Sequence, residues 1–271
     1  MPESPEVQAF AESVAARVVG RGVDAFTVRD FRAYKTRGVD PGVLAGAVVS
    51  QVRRLGKYVD VVTDRQHLVV SFGRHGWGAW RETGAETPPS DPPVIATIAF
   101  DDRAALDLTD AGSFRSAALW VVADPAEVAA IASLGPDPAD AAFSQSDVDA
   151  ATVGRRKQLK AVLQEQTSFA GIGNAYSDEI LFAARLSPTM HAALLSDQQR
   201  ERLFRAMTDE IGGAIAARRG IPIADQKATK VAAMRVHGRA GESCPACGGQ
   251  IEDFTFAGTS AQWCPSCQSA G

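Results

Sequence analysis

The chain has 271 residues, 45% of them hydrophobic and 22% charged, with a net charge of −4. That length suits about two domains. The balance excludes a disordered chain and a disulfide-stapled mini-protein, and no apolar run approaches the roughly eighteen residues of a membrane span, so no membrane partner is expected.

The first twenty residues carry Glu3, Glu6, Glu12 and Arg17 and no continuous apolar block, unlike a secretory signal. Ser4 as a cap, Pro5 at the first helical position and Glu6 in the first turn predict a helix. Val7, Phe10, Val14 and Val18 continue it at helical spacing until Gly20 and Gly22. Residues 24–120 read mostly as strands: Tyr58–Val62, Leu68–Phe72 and Val94–Phe100 are rich in β-formers and bounded by Asp, Gly or Pro. Several short strands in a row point to a sandwich or barrel. A segment rich in Pro, Asp and Ser follows from Gly135 to Asp147 and reads as an interdomain linker. Beyond it the pattern is helical, with helices over 155–168, 175–185 and 195–218 and a tight turn at Gly171-Ile172-Gly173-Asn174. The tail from 236 is rich in Gly and Cys.

Charge is unevenly spread. Residues 1–150 carry 14 basic and 21 acidic side chains, whereas residues 151–271 carry 14 and 11. Within 218–239, Arg218, Arg219, Lys227, Lys230, Arg235 and Arg239 face Asp225 alone. Such a strip suits a phosphate backbone at a screening length of about 10 Å; a solvated charged face is the alternative.

Three motifs carry chemistry. Cys244-Pro-Ala-Cys247 and Cys264-Pro-Ser-Cys267 hold all the cysteines of the chain. Their spacing supplies four thiolates for one tetrahedral zinc, and four protein ligands leave no open position, so the metal is expected to be structural. Cysteines this sparse suit a reducing compartment; a pair of redox dithiols is the alternative. The stretch Ile251–Trp263 between the knuckles is long enough for a β-hairpin.

The second motif is Met1-Pro2-Glu3. Removal of the initiator Met frees a secondary amine at Pro2. At pH 7 about one α-amine in ten is neutral, against fewer than about one lysine in a thousand. A helix starting at Ser4 lowers the amine further. A secondary amine attacking a carbonyl-like carbon gives an iminium, an electron sink for elimination, and Glu3 is placed to move protons beside it; a start that arises by chance and carries no chemistry is the alternative. The third motif spans Gln164–Pro188, where glycines allow close backbone approach and Asn174 opens a helix, a position that binds anions such as phosphate. A plain helix–helix turn is the other reading.

Together these motifs make the sequence resemble the formamidopyrimidine-DNA glycosylase/endonuclease VIII family of DNA glycosylase/abasic-site lyases. The residues that carry the resemblance are Met1-Pro2-Glu3-x-Pro5-Glu6, Arg53-Arg54-Leu-Gly-Lys57-Tyr58, Gly171–Pro188, Val236-His-Gly-Arg239 leading to Cys244, and Cys264-Pro-Ser-Cys267-Gln268. The resemblance implies an α+β fold: an N-terminal catalytic β-sandwich with flanking helices (1–135), a linker (136–147), a helix–two-turn–helix DNA-binding domain (148–235) and a zinc finger with a β-hairpin (236–271). It implies one structural zinc on Cys244, Cys247, Cys264 and Cys267, and no organic cofactor. It also implies double-stranded damaged DNA as partner, bound in the cleft between domains by a monomer located in the cytoplasm on the nucleoid. Pro2 would be the nucleophile at the anomeric carbon of a flipped nucleotide, and Glu3 the proton donor and acceptor at the sugar. Lys57 would contact phosphate and assist β-elimination, and Asn174, Arg155 and Arg239 would contact DNA.

The sequence also departs from the family pattern. Thr259 stands where the hairpin normally carries a phosphate-gripping arginine that assists δ-elimination, and no Arg or Lys lies between Ile251 and Gly271. Mainly β-elimination is therefore expected. Of the residues that fill the hole left by a flipped base, Phe114 is kept, Arg74 replaces a Met and Gly112 replaces an Arg. The short segment between Ala217 and Lys230 lacks a long Gly-rich loop for an oxidised purine. A second reading is a damaged-DNA-binding protein of the same fold with reduced catalysis. His75 and His237 read as structural more readily than as phosphate contacts, and Trp77, Trp80, Trp120 and Trp263 are candidates for stacking on bases or for packing.

Overall fold

A computed structural model of the chain describes residues 1–82 and 92–268. The backbone forms two compact units. The first comprises Met1–Pro2, Glu6–Ala132 and Arg219–Gln226, and the second Glu3–Pro5, Ser133–Arg218 and Lys227 onward.

The first unit is a β-sandwich. Helix α1 (Ser4–Val18) forms where the capping signals place it, and Val7, Phe10, Val14 and Val18 are buried. Strands β1 (Val23–Val28), β6 (Val94–Phe100), β7 (Ala105–Asp110) and β5 (Gly76–Arg81) make one antiparallel sheet in the order β1-β6-β7-β5. Strands β2 (Val49–Leu55), β3 (Tyr58–Thr63), β4 (His67–Ser71) and β8 (Ala118–Val122) make the other, in that order. Their apolar faces share one core: Phe26, Ile98 and Leu106 come from the first sheet, Val52, Val61, Leu68 and Leu119 from the second, and Phe10 from α1. Phe10, Phe72 and Trp77 cluster with ring centroids 4.8–5.2 Å apart. Gly78 is fixed by this cluster, since a Cβ there would stand 2.5 Å from the Phe10 ring.

Residues 219–226 return to this unit. Ile223 is buried in the sandwich core and its carbonyl accepts a 2.9 Å hydrogen bond from Trp77 Nε1. These residues fall inside the span 148–235 that the resemblance assigns to the helix–two-turn–helix domain, and they belong to the compact unit of the sandwich.

The second unit is helical. Short helix α2 (Ala129–Ala132) precedes it, and α3 (Gln145–Thr152), α4 (Leu159–Gln164), α5 (Asn174–Ala184) and α6 (Asp197–Arg218) build it. Residues 133–147 pack within it: Phe143 is buried against Phe169 and Phe204, and the Gly135 N–H donates to the Gln166 carbonyl. The helix expected over 155–168 is confined to α4. Residues 155–158 instead pair with 191–193 ahead of α4, with Leu159 N–H on the Met190 carbonyl, Ala192 N–H on the Lys157 carbonyl and Ala193 N–H on the Arg155 carbonyl, at 2.8–2.9 Å. Backbone pairing with a neighbouring segment wins there over local helix propensity. A further helix, α7 (Gln226–Ala233), lies in the segment the sequence left unassigned.

The expected hairpin forms from β9 (Glu252–Phe256) and β10 (Thr259–Trp263). A small core of Phe182, Val236, Ile251, Cys244 and Cys264 joins the cysteine knuckles to α5. Residues 269–271 of the expected zinc finger lie outside the described residues. Among the described residues no helix is long and apolar enough to cross a membrane.

Candidate functional site

The N-terminus of α5 collects an anion, and that anion is Glu3. Its side chain is 2% exposed. Oε2 accepts from Gly173 N–H at 2.5 Å and Tyr176 N–H at 3.3 Å, and Oε1 from Ala175 N–H at 3.1 Å. Lys230 Nζ adds a fourth donor, 3.1 Å from Oε1. The Ser4 N–H donates to the Gly171 carbonyl, which fixes the backbone beside the carboxylate. Gly173 is required by this close approach: a Cβ would lie 2.6 Å from Glu3 Cδ. The unpaired amides and the positive end of a helix dipole favour a negative group there. Pro2, the preceding residue in the chain, is half-buried, and Met1 is exposed.

Asn174, read from sequence as a phosphate contact, turns its side chain inward to the hairpin. Nδ2 donates to the Ser260 carbonyl at 2.8 Å and Oδ1 accepts from Gln164 Nε2 at 3.1 Å. Arg155 donates to Ser168 Oγ at 2.8 Å and pairs with Glu165. Arg239 is half-buried and reaches the carbonyls of Met234 and Val231, where α7 ends. The basic strip is largely consumed inside the fold. Arg218 is buried, Arg219 pairs with Glu12, Lys230 with Glu3, and Arg235 with Glu179 and Glu210. Lys227 stands exposed. A charge count along the chain cannot see these partners, which are brought in from distant residues.

In the sandwich, Lys57 occupies the turn between β2 and β3, half-buried, after Gly56 at φ +56°. Arg54 braces that turn by donating to the Gly56 carbonyl at 3.1 Å and to Gln8 Oε1 on α1 at 2.9 Å. The two loops expected to enter DNA are tied together. Asp110 is fully buried and accepts from the N–H groups of Gly112, Ser116 and Ala117 at 2.8–2.9 Å. Burial pushes its carboxyl upward, and these backbone donors outweigh it and hold it below the ordinary value. Ser116 Oγ accepts the Arg74 N–H at 2.9 Å, and Arg115 spans the loop to the carbonyls of Asp110 and Gly112. This brace presents Arg74 and Phe114 outward, Phe114 at 89% exposure. The tryptophans pack: Trp77 with Phe10 and Phe72, Trp80 with Phe100, Trp120 with Tyr58, and Trp263 with Phe254.

Sequence reasoning missed the buried acids of α5. Asp178 and Lys160 are both fully buried and paired at 2.6 Å; Asp178 also accepts the Gln262 N–H at 3.2 Å and contacts His237 Nδ1 at 2.7 Å. Glu179 accepts the N–H groups of Arg235, Val236 and His237 at 2.9–3.1 Å. The available signal was the Ser177-Asp178-Glu179 run inside an otherwise apolar helix, since buried acids demand partners.

The four cysteine Sγ atoms all lie within 4.8 Å of one another, with Cys244–Cys267 at 3.8 Å and Cys247–Cys264 at 3.5 Å. A zinc tetrahedron with Zn–S bonds of about 2.3 Å has edges of about 3.8 Å, so the cluster fits the metal. Thr259 is exposed at the start of β10, its hydroxyl on the Phe256 carbonyl at 2.9 Å.

Comparison with known proteins gives three matches in chain order. Residues 1–117 match the formamidopyrimidine-DNA glycosylase N-terminal domain, 134–224 its H2TH domain, and 241–270 the zinc finger found in FPG and IleRS. With that match, the four cysteines form a structural zinc site. A formamidopyrimidine-DNA glycosylase of Laribacter hongkongensis is 32% identical over 285 residues, covering 99% of this chain and all of the relative. The MutM (FPG) structure of Thermus thermophilus is 29% identical with a TM-score of 0.84, covering both chains fully. A Lactococcus lactis Fpg complexed with DNA containing an abasic site shares the fold, with a TM-score of 0.87 at 23% identity, over 99% of this chain and all of that one.

Proposed function

The chain belongs to the formamidopyrimidine-DNA glycosylase family, and from that premise we propose that it excises damaged bases from double-stranded DNA and cleaves the resulting abasic site through an iminium at Pro2. The observation that carries the reading is Glu3, a carboxylate locked by three backbone N–H groups and Lys230 at the residue following the proposed nucleophile. A buried carboxylate next to an amine is suited to moving protons at a sugar.

With Met1 removed, the Pro2 nitrogen attacks the anomeric carbon of a flipped nucleotide. The base leaves with the electrons of the glycosidic bond and takes a proton from solvent, while Glu3 takes the proton of the attacking amine; the nitrogen lone pair then forms the iminium as the C1′–O4′ ring bond breaks and O4′ receives that proton from Glu3. The positive nitrogen then draws electrons from the adjacent C–H bond as that proton is lost, and the next C–O bond breaks toward phosphate. Lys57, on its braced turn, meets the phosphate beside the lesion. Arg74 and Phe114 enter the helix where the nucleotide leaves; wedging costs a few kcal/mol of unstacking. With Thr259 at the hairpin position, the cleavage ends mainly at β-elimination. The zinc holds the hairpin rigid and takes no part in bond breaking.

Borohydride reduction during incubation with abasic duplex tests the reading. A covalent adduct at Pro2 is expected, with Glu3→Gln sparing abasic-site cleavage more than base removal. No adduct from protein shown by mass spectrometry to lack Met1 would reject the enzyme in favour of a damaged-DNA-binding protein.

A further inference from the structure

We infer that Lys230 is a positioning residue that keeps Glu3 ionised, so that Glu3 enters the reaction as a base. The inference rests on the assignment of Glu3 above and adds a residue from α7. Lys230 is largely buried, with its side chain 13% exposed. Its ammonium lies 3.1 Å from Glu3 Oε1 and 5.1 Å from the centre of the Tyr176 ring. The neighbouring Tyr176 N–H donates to the other Glu3 oxygen. Arg239 fixes the end of α7 by donating to the carbonyls of Val231 and Met234, so the lysine is held on a short helix whose last turn is anchored.

Other charged groups lie on the elements packed near Glu3. Lys160 of α4 feels its charge but is paired with Asp178 at 2.6 Å. Arg218, at the end of α6, lies over the Tyr176 ring at 5.8 Å. On α1 itself, Glu6 is a buried acid one turn along, and Pro2 carries the amine. Lys230 is thus the ammonium in hydrogen-bond contact with the carboxylate. Backbone donors and an adjacent cation both favour the charged form of an acid. Glu3 begins as carboxylate, takes one proton to become the neutral carboxyl, and readily returns it, because the neutral form loses its attraction to Lys230.

The test is the pH dependence of single-turnover base removal, the step that depends most on Glu3, from a duplex carrying a formamidopyrimidine base, by the zinc-loaded protein. Lys230→Met and Lys230→Gln should move the acid limb upward by about one pH unit, while Lys230→Arg leaves it in place. In a Glu3→Gln background the same substitutions should move nothing further. A uniform fall in rate with an unmoved limb in either neutral variant would overturn the inference and leave Lys230 a packing residue. Should Lys230→Met fold poorly, Lys230→Gln carries the same comparison. Borohydride trapping of the unmodified protein separates the two claims: no adduct rejects the Pro2 reading, whereas trapping with an unmoved limb rejects only the role of Lys230.

Discussion

Replacing Lys160 with Met isolates the cost of a buried charge. The methionine fills the volume of the lysine stem, so little cavity is left. What is lost is the ammonium and its hydrogen bonds to Asp178 at 2.6 Å, Ser177 Oγ at 2.8 Å and the Asn174 carbonyl at 3.2 Å. Asp178 remains a buried carboxylate, held only in part by the Gln262 N–H and His237. Removing one partner of a buried pair costs about 3–5 kcal/mol, whereas removing both charges is often close to neutral. Urea unfolding of the zinc-loaded protein should therefore show a loss of about 3–5 kcal/mol for Lys160→Met and recovery of about half or more in Lys160→Met/Asp178→Asn. The pH dependence carries a sign as well. Burial pushes the Lys160 ammonium below its ordinary 10.5, with Asp178 pulling it back. The folded state then binds fewer protons than the unfolded chain in the window below 10.5. Stability of the unsubstituted protein should rise with pH across that window, and the variant should lack that component. A single-variant loss under about 1 kcal/mol, or strict additivity in the double variant, would refute the reasoning.

Three further outcomes are expected. Gly173→Ala sets a methyl 2.6 Å from Glu3 Cδ at an ordinary negative φ, so it tests close approach without backbone strain; the rate of base removal should fall about 100-fold, as for a catalytic group displaced by about 1 Å, with zinc content unchanged. Asp110 is depressed in the folded state despite burial, so its stabilising contribution is present above the ordinary value of 3.8 and is lost as pH falls through the lower folded value; Asp110→Asn should lose stability at pH 6 and show a flatter acid limb in urea titrations, and an unchanged limb would contradict the brace. Thr259→Arg should raise the share of δ over β product on abasic duplex, read on a denaturing gel, and an unchanged ratio would show that the hairpin position does not govern the second elimination.

Much of the sandwich was legible because β-strands announce themselves locally. Tyr58–Val62 and Val94–Phe100 are apolar runs bounded by turn residues, and they form β3 and β6 to within a residue. The cysteine site was legible because spacing alone brings four thiolates together. The helix over 155–168 was misread because Met190 and Lys157, distant in sequence, exchange backbone hydrogen bonds with their neighbours there. Helix α7 escaped notice because it is only eight residues long, about two turns, too short for an apolar repeat to establish itself. The carboxylate of Glu3 was foreseen, its seat was not: the anion expected at the start of α5 was an external phosphate, and the fold supplies it from residue 3. No local pattern joins residues 170 positions apart.

Helix α5 is only eleven residues long, yet it serves as a common bearing. Its first turn seats the carboxylate of Glu3, while Asp178 and Glu179, one turn further, grip the hairpin and the non-helical segment that follows α7. Oxidation of the metal-binding thiolates would therefore do more than loosen a remote finger. It would slacken the grip on the same short rod that holds Glu3, so a protein that has lost its metal should lose the proposed cleavage of abasic sites along with its hold on the duplex.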